Sequence, residues 1–407
     1  MARLTRLLAC VVLVTFVAAL GGQAPVAVTV HEWGTFTSIA GPDGKAMQWL
    51  PLGGPTDLPC FVRTYENRMY KVTTPANVGE LLDYQQARSG LKGSVRMETP
   101  VIYFYAAQPT AARVSVSFPR GLFTEFYPKA DVKQSGAYQN ILNTSPTMLA
   151  TITWPTVSIQ PGSKAEFPSD RDGSHYYAAR ETDAAPVRVY GEDEKFLFYR
   201  GVAGFDVPIS TTLQDDGRVL VKNLGSFTMP RVVLFVKRDG KMGFRIHDGL
   251  ASMTEVAMAP PALTATMPAL RGELERTLIE SGLYPREAKA MLDTWRDDWF
   301  NDGTRVFYAV PSQTVDAILP LQISPTPAAI VRSFVGRMEV ITPESIAAVE
   351  RALSTNDTRL LESYGRWLSP IGERVLAKTA SAEKKAALTA KLDQIFKSYL
   401  ARVTACQ

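Results

Sequence analysis

The pattern of hydrophobic and polar positions predicts that the first half of the chain is rich in β-strands. Residues 101–105 form an unbroken run of β-branched and aromatic side chains, which is typical of a strand covered on both faces. Between residues 113 and 118 apolar and polar positions alternate, as in a strand with one buried face. A Gln-Pro-Thr turn at residues 108–110 separates the two runs. We therefore predict a central antiparallel hairpin over residues 94–119.

The chain carries several further strand signals on both sides of this hairpin. Residues 26–39 predict a first long strand, and short apolar runs separated by turn residues continue to residue 247. Among the later stretches, residues 176–180 are predicted as an edge strand and residues 121–128 as part of an aromatic-rich loop. Strands this short and frequent favour a β-sandwich. Their number leaves open whether there is one elaborated sandwich or two small ones.

After residue 268 the apolar residues follow a helical period. Residues 257–268 are rich in alanine, proline and methionine, which marks a linker, and strands at residues 304–310 and 331–341 interrupt the helices that follow. The predicted fold class is therefore α+β. An antiparallel, sandwich-like N-terminal part precedes a helix-rich C-terminal part with two further strands. The predicted boundaries are 1–24 for a signal peptide, 25–256 for the β domain, 257–268 for the linker, and 269–407 for a helix-rich region packed on the β domain.

One predicted helix, over residues 285–300, carries an apolar stripe with two tryptophans. Leu292, Trp295 and Trp299 lie at spacings that place them on one helix face. Two tryptophans on one face can also stack a sugar ring. The stripe favours core packing against the strand at residues 304–310 over a sugar-binding site.

The N-terminus has the features of a targeting signal. Arg3 and Arg6 precede an apolar run at residues 7–20, and small residues follow it. The run is shorter than the roughly 20 residues that span a bilayer. We therefore expect a cleaved signal peptide, an exported soluble protein in the periplasm or outside the cell, and no transmembrane anchor after cleavage.

Composition and cysteine content add two expectations. The formal net charge of +4 is small for 407 residues, and no basic run with interleaved aromatic residues occurs, so nucleic-acid binding is not expected. Cleavage would remove Cys10 and leave Cys60 and Cys406. In an oxidising compartment these two can form a disulfide. Two separate thiols remain the alternative.

Three stretches carry a resemblance to known proteins. HEWGTF at residues 31–36, METPVIYFY at residues 97–105 and TWRDDWF at residues 294–300 resemble exported bacterial proteins of uncharacterised function. The resemblance extends over nearly the whole mature chain and implies no activity.

No familiar catalytic motif occurs in the sequence. Gly-x-Ser-x-Gly, His-Glu-x-x-His, Cys-x-x-Cys and a phosphate-binding glycine loop are all missing. The chain has three histidines, His31, His175 and His247, each close in sequence to carboxylates. If the three imidazoles converged, they would suit zinc or another transition metal. Separate packing or surface roles for the three residues are the stronger interpretation.

One short segment concentrates polar side chains that suit ligand binding. Arg180, Glu181 and Asp183 lie within four residues, and an arginine there could hold a carboxylate or phosphate through two hydrogen bonds. An edge strand whose charges face water explains the same residues and is favoured.

The sequence thus leads to two hypotheses about function. The first is an exported, non-catalytic module for binding or for cell-envelope structure, with an envelope or extracellular ligand. The alternative is a secreted hydrolase, with or without a metal, that uses the histidines and neighbouring carboxylates. Cofactor, ligand, reaction and oligomeric state are all left open.

Overall fold

A computed structural model describes residues 26–54, 58–64, 91–134, 149–170 and 173–403. The predicted signal peptide and Cys406 lie outside these ranges. The fold is α+β, with strands concentrated in the N-terminal part and helices in the C-terminal part. The strands are β1 (Val26–Ile39), β2 (Arg63–Thr64), β3 (Val95–Ala106), β4 (Thr110–Pro119), β5 (Gly121–Tyr127), β6 (Asp131–Gln134), β7 (Leu149–Ile159), β8 (Val187–Val189), β9 (Glu192–Glu194), β10 (Leu197–Ala203), β11 (Ile209–Leu213), β12 (Val219–Asn223), β13 (Met229–Arg238), β14 (Lys241–Leu250), β15 (Glu255–Met258), β16 (Gly303–Val310), β17 (Leu321–Ser324) and β18 (Pro327–Glu339).

Three sheets organise these strands. The largest has nine strands in the order β14-β13-β16-β18-β1-β3-β10-β5-β2. A six-stranded sheet contains β17, β4, β7, β8 and β9 with β6 paired to β7, and a three-stranded sheet contains β11, β12 and β15. Strand β1 pairs antiparallel with β3 and parallel with β18. The first described strand and the last one therefore lie side by side in the middle of the large sheet.

The two smaller sheets cover one face of the large sheet. Their apolar side chains, among them Val116, Ile152 and Val221, share one core with Phe104 of the large sheet. Tyr103 faces the opposite side and belongs to a second core with the first two helices. Tyr103 and Phe104 are both fully buried, which confirms the prediction that they face opposite sides of a central strand. The arrangement is one elaborated sandwich with helices on its outer face.

The predicted hairpin over residues 94–119 is wrong. β3 pairs with β1 and β10 in the large sheet, whereas β4 pairs with β7 and β17 in the six-stranded sheet. The turn therefore connects two layers of the sandwich. Alternation in the sequence identified the buried face of β4, but it carries no information about which strand lies beside it.

Two other local predictions are also wrong. Residues 176–180 lie in a 3₁₀ helix, His175–Arg180, whose residues Tyr176 and Ala179 are buried at a spacing of three. Residues 121–128 were predicted as a loop, but Gly121–Tyr127 forms β5, with every residue buried between neighbouring strands and layers. The sequence also predicts a short helix at residues 79–88, and these residues lie outside the described ranges.

The helices follow the linker in the chain. They are α1 (Met267–Glu280), α2 (Pro285–Thr294), α3 (Ser312–Ile318), α4 (Pro343–Thr355), α5 (Thr358–Ser363), α6 (Leu368–Lys378) and α7 (Ala382–Val403). Helices α1 and α2 pack on the outer face of the large sheet. Helices α4 to α7 form a third core around Trp367, next to Ile39 at the end of β1.

The tryptophan stripe is part of the core, as predicted. Leu292, Trp295 and Trp299 are at most 1% exposed, and Trp299 lies 5.4 Å from the ring of Phe307 on β16. Helix α2 ends at Thr294, so Trp299 follows it in a turn. The large sheet contains strands from both sides of the predicted linker. Strands β16 and β18, which follow the linker in the chain, lie between β13 and β1, which precede it.

Candidate functional site

A buried carboxylate lies behind the end of β3. Glu287, in the first turn of α2, accepts hydrogen bonds from His31 Nδ1 at 2.7 Å, from the Tyr105 hydroxyl at 2.7 Å and from the Tyr284 backbone N–H at 2.8 Å. The helix N-terminus favours a negative charge at this position. Burial, followed by the charge of Glu287, raises the pKa of Tyr105, which therefore stays protonated as a donor. The network orients both His31 and Tyr105.

Tyr105 also lines an open cleft of about 770 Å³. This volume lies within the range of small-molecule sites, roughly 300–1,000 Å³. The end of β3, the loop after β7, the segment between the 3₁₀ helix and β8, the β9–β10 connection and the start of α2 form its walls. The lining residues are Tyr105, Ala106, Ala107, Pro161, Gly162, Ser163, Arg180, Thr182, Asp183, Ala184, Ala185, Pro186, Lys195 and Arg286.

Two of the three cations in this cleft have carboxylate partners. Arg180 binds the buried Glu194 through Nε at 2.9 Å and NH2 at 2.6 Å, and its guanidinium stacks on the ring of Tyr177. Arg286 forms an ion pair with Asp183 at the surface. Lys195 makes no ion pair or side-chain hydrogen bond within the described chain. One positive charge in the cleft is therefore left without a direct partner.

Two further properties distinguish Lys195 and its surroundings. Partial burial, followed by repulsion from Arg286, lowers the pKa of Lys195, although the charges of Asp183 and Glu181 oppose this shift. The buried hydroxyl of Thr182, in the same cleft, has no hydrogen-bond partner among the described residues. A buried polar atom without a partner is a place where a ligand or water binds. The cleft thus offers an ammonium group to a ligand with oxygen acceptors, and the enclosed Thr182 hydroxyl lies in its wall.

A second cluster of charges surrounds Glu98 near the start of β3. Arg96 and Glu98 are two residues apart and share one face of β3, and the register places them beside Thr37 and Thr35 of β1. Arg337 on β18 lies next to Thr37 on the other side. Thr99 adopts a positive φ of 45° in a β-bulge directly after Glu98.

Glu98 is the hub of this second cluster. Its Oε1 lies 3.3 Å from Arg96 Nε and 2.5 Å from Arg366 NH1, and its Oε2 lies 3.1 Å from Arg337 NH2. Thr37 donates a further hydrogen bond to Oε2 at 2.9 Å. Burial alone would raise the pKa of Glu98, but the guanidinium groups of Arg366, Arg337 and Arg96 outweigh it and hold this pKa below its usual range. Glu98 is therefore ionised throughout the neutral range.

The three stretches that carry the sequence resemblance meet at this hub. HEWGTF contributes β1, METP contributes Glu98 and the bulge, and TWRDDWF contributes Asp298, which pairs with Arg366 at 3.0 Å. Arg366 comes from a 3₁₀ helix at Gly365–Trp367. Sequence reasoning missed this convergence, because the stretches are separated by up to about 260 residues along the chain.

The three histidines of the predicted metal site lie in different surroundings. His31 contacts Glu287, His175 Nε2 lies 2.8 Å from Asp297 Oδ2, and His247 lies on β14 opposite Val232. In the described part of the chain, no group of three His, Cys, Asp or Glu residues could hold a metal ion. The composite site is therefore not formed: His31 and His247 lie on strands β1 and β14, which three other strands of the large sheet separate, and His175 lies in the 3₁₀ helix.

Two of the three residues of the predicted polar site lie at the cleft. Arg180 and Asp183 line it, whereas Glu181 is exposed and is not a lining residue. Lys195 and Thr182 were missed, because the sequence does not show which residue of a polar stretch is left without a partner in the fold. Cys60 lies just before β2 and Cys406 lies outside the described residues, so their pairing stays a prediction.

Comparisons with known proteins add little to this geometry. No family model matches the chain, and no curated protein matches it. Among solved structures it is similar to the yeast delta-COP-I mu-homology domain in complex with the Dsl1 WxWxV peptide, with 9% identity, 77% of this chain and 96% of that chain covered, and a TM-score of 0.25. A similarity at this level supports no inference about function. Within the ranges that the structure describes, every helix is too short or too polar to cross a membrane.

Proposed function

We propose that this chain is an exported binding protein whose cleft at Lys195 holds a small anionic ligand. The export signal expected in residues 1–24 supports the location, and the lack of a catalytic motif in the sequence supports a binding role. One observation carries the proposal. Half-buried Lys195 has no direct partner in the described chain and shares a cleft with the unpartnered hydroxyl of Thr182.

The energetics favour an anion over a neutral ligand. A partly desolvated ammonium group gains more from an ionised acceptor than one in water does, because the local dielectric is lower. Asp183 neutralises Arg286 at one side, and Glu194 neutralises Arg180 at the other. Lys195 therefore supplies the charge that selects the ligand, while Thr182 donates a hydrogen bond. A carboxylate matches both donors.

A matched pair of probes tests the charge requirement. Isothermal titration calorimetry would compare succinate with succinamide, which has a similar shape and no charge. We expect succinate to bind and succinamide to bind at least tenfold more weakly. Lys195→Gln should weaken succinate binding at least tenfold, whereas Lys241→Gln, an exposed lysine of β14 outside the cleft, should leave it unchanged. Equal binding of both probes, or full affinity in Lys195→Gln, would contradict the proposal.

A second candidate function, hydrolysis, is favoured by the His31–Glu287 pair. A buried carboxylate that orients an imidazole is the arrangement in which hydrolases hold a general base. The pair contacts Tyr105, which lines the cleft. Hydrolysis of p-nitrophenyl acetate that is lost in His31→Gln and retained in His247→Gln would support this function. Equal rates in both variants would exclude a role for His31.

A further inference from the structure

The cluster around Glu98 contains more buried guanidinium groups than carboxylates. Arg96, Arg337 and Arg366 contact Glu98, and Arg366 also pairs with Asp298. All three arginines are at most 5% exposed. Arg366 makes further interactions of its own. Arg96 and Arg337 are therefore the two guanidinium groups whose positive charges remain to be balanced.

Glu98 is the shared carboxylate partner of Arg96 and Arg337, which each also donate to one backbone carbonyl, Arg96 NH1 to Pro51 O and Arg337 NH1 to Asp298 O. These carbonyl groups accept hydrogen bonds but do not neutralise the two positive charges. The two oxygens of Glu98 already face Arg366 and Thr37 in addition to these two arginines. Buried charges are stable only when they are paired and hydrogen-bonded. Burial, followed by repulsion from Arg366, lowers the pKa of Arg96 well below its usual value, and burial lowers the pKa of Arg337 to about 10.

Donors without acceptors occur in the same place. Within the described chain Arg337 Nε has no hydrogen-bond partner, although Arg337 is fully buried. The guanidinium of Arg337 stacks on the ring of Trp367 at 5.0 Å, and the indole N–H of Trp367 also has no partner among these residues. Buried donors of this kind call for an ion or a water molecule.

We propose that this cluster is a binding site for an inorganic oxyanion, phosphate or sulfate, that completes its charge balance. Guanidinium forks match the oxygen geometry of these anions, and each anion has several acceptors for donors that Glu98 cannot reach. The site is distinct from the Lys195 cleft. It joins β3, β18 and the 3₁₀ helix Gly365–Trp367, so the bound anion would stabilise the contact between the large sheet and the C-terminal helices.

Thermal unfolding of the full chain tests the proposal. The Lys195→Gln protein is melted in increasing sodium phosphate, with sodium chloride adjusted to keep ionic strength constant. Because the Lys195→Gln substitution removes the proposed anion contact in the cleft, any phosphate effect in this protein comes from another site. The oxyanion proposal is therefore tested independently of the proposal for the Lys195 cleft. We expect the Tm to rise with each tenfold increase in phosphate, and in a parallel series with sulfate. A Tm that depends on ionic strength alone would overturn the proposal.

Single arginine variants test whether phosphate raises the Tm by binding at this cluster. Arg337→Gln in the same background should abolish the dependence of Tm on phosphate, whatever its own Tm. Arg188→Gln, which breaks an exposed pair with Asp193, should retain the dependence. If Arg337→Gln does not fold, Arg96→Gln serves as the second test. Phosphate dependence that persists in a folded Arg337→Gln or Arg96→Gln protein would overturn the assignment to this cluster.

Discussion

β3 carries a charged cluster near each end, and the two clusters differ in their access to water. Near the start of the strand, Glu98 and its arginines are enclosed between the sheet and the C-terminal helices. At the other end, Tyr105 leads into the open cleft with Lys195. Both clusters are built from the same residue types. The second opens to solvent as a cleft, whereas an anion bound at the first would be enclosed by protein.

This difference shows that burial, more than composition, decides what a group of charges can do. In the enclosed cluster a charge or donor without a bound partner destabilises the fold, because bulk solvent does not reach it. In the cleft, water solvates Lys195 when no ligand is present. The enclosed cluster is therefore expected to dominate stability, and the open one to dominate binding.

The largest effect is expected from Glu98→Gln. This change removes the charge shared by Arg96, Arg337 and Arg366 while keeping the side chain's size. The free energy of unfolding should fall by about 3–5 kcal/mol, as when one partner of a buried ion pair is removed. Urea denaturation measures it, and Glu181→Gln, on the surface, should change it by less than about 0.5 kcal/mol. A loss under about 1 kcal/mol for Glu98→Gln would mean that the cluster is not a structural hub.

The same carboxylate makes stability depend on pH. The pKa of Glu98 is lower in the folded state than its ordinary value. Its contribution is therefore complete above the ordinary glutamate pKa and is lost as pH falls through the folded-state pKa. Melts at decreasing pH should show a smaller acid dependence in Glu98→Gln than in the unmodified protein.

A comparable loss is expected from Trp295→Ala in the core between the large sheet and helices α1 and α2. Trp295 is 1% exposed and stacks on Trp299 with ring centroids 6.4 Å apart. Truncating such a side chain should lower the free energy of unfolding by about 3–5 kcal/mol. Asp297→Asn should change it by less than about 1 kcal/mol, because the carboxylate is largely exposed in its pair with His175. An unchanged Tm for Trp295→Ala would contradict the core assignment.

An intermediate effect is expected from Glu287→Gln behind the cleft. The amide keeps one acceptor oxygen but replaces the other with a donor, which then faces His31 or Tyr105. The free energy of unfolding should fall by about 1–3 kcal/mol, the range for an unsatisfied buried hydrogen-bonding group. Urea denaturation beside Glu98→Gln ranks the two carboxylates. A larger loss for Glu287→Gln would reverse the contrast between the two ends of β3.

The smallest effect on stability is expected from Lys195→Gln. The ammonium has no direct partner to lose in the described chain, so the free energy of unfolding should change by less than about 0.5 kcal/mol. Ligand binding should respond instead. Because the protonated form binds the anion, affinity for succinate should fall as pH rises through the pKa of Lys195, which lies below that of an ordinary lysine. Calorimetry at increasing pH measures this, and an affinity that is independent of pH up to the ordinary lysine pKa would argue against Lys195 as the anion contact.

Local patterns in the sequence were enough to place many elements and their faces. β1 has the bounds predicted from its residues, Tyr103 and Phe104 face opposite cores, and the stripe of Leu292, Trp295 and Trp299 is buried as its spacing predicted. These successes share a cause. The period of apolar residues reports which side of an element is buried, and that property depends on neighbours a few residues away.

Partners across the chain were decided only by the tertiary structure. The turn after β3 connects two sheets instead of closing a hairpin, and β18 pairs with β1 from about 300 residues away. The surroundings of the candidate site residues were also decided only by the tertiary structure. Arg180 and Asp183 were found because several polar residues lie close together there, whereas Glu98 lies in a mostly apolar strand and Lys195 lies in a charged turn of ordinary composition. Whether such a residue is enclosed by arginines or left without a partner in a cleft depends on which distant segments pack against it, and no local pattern encodes that.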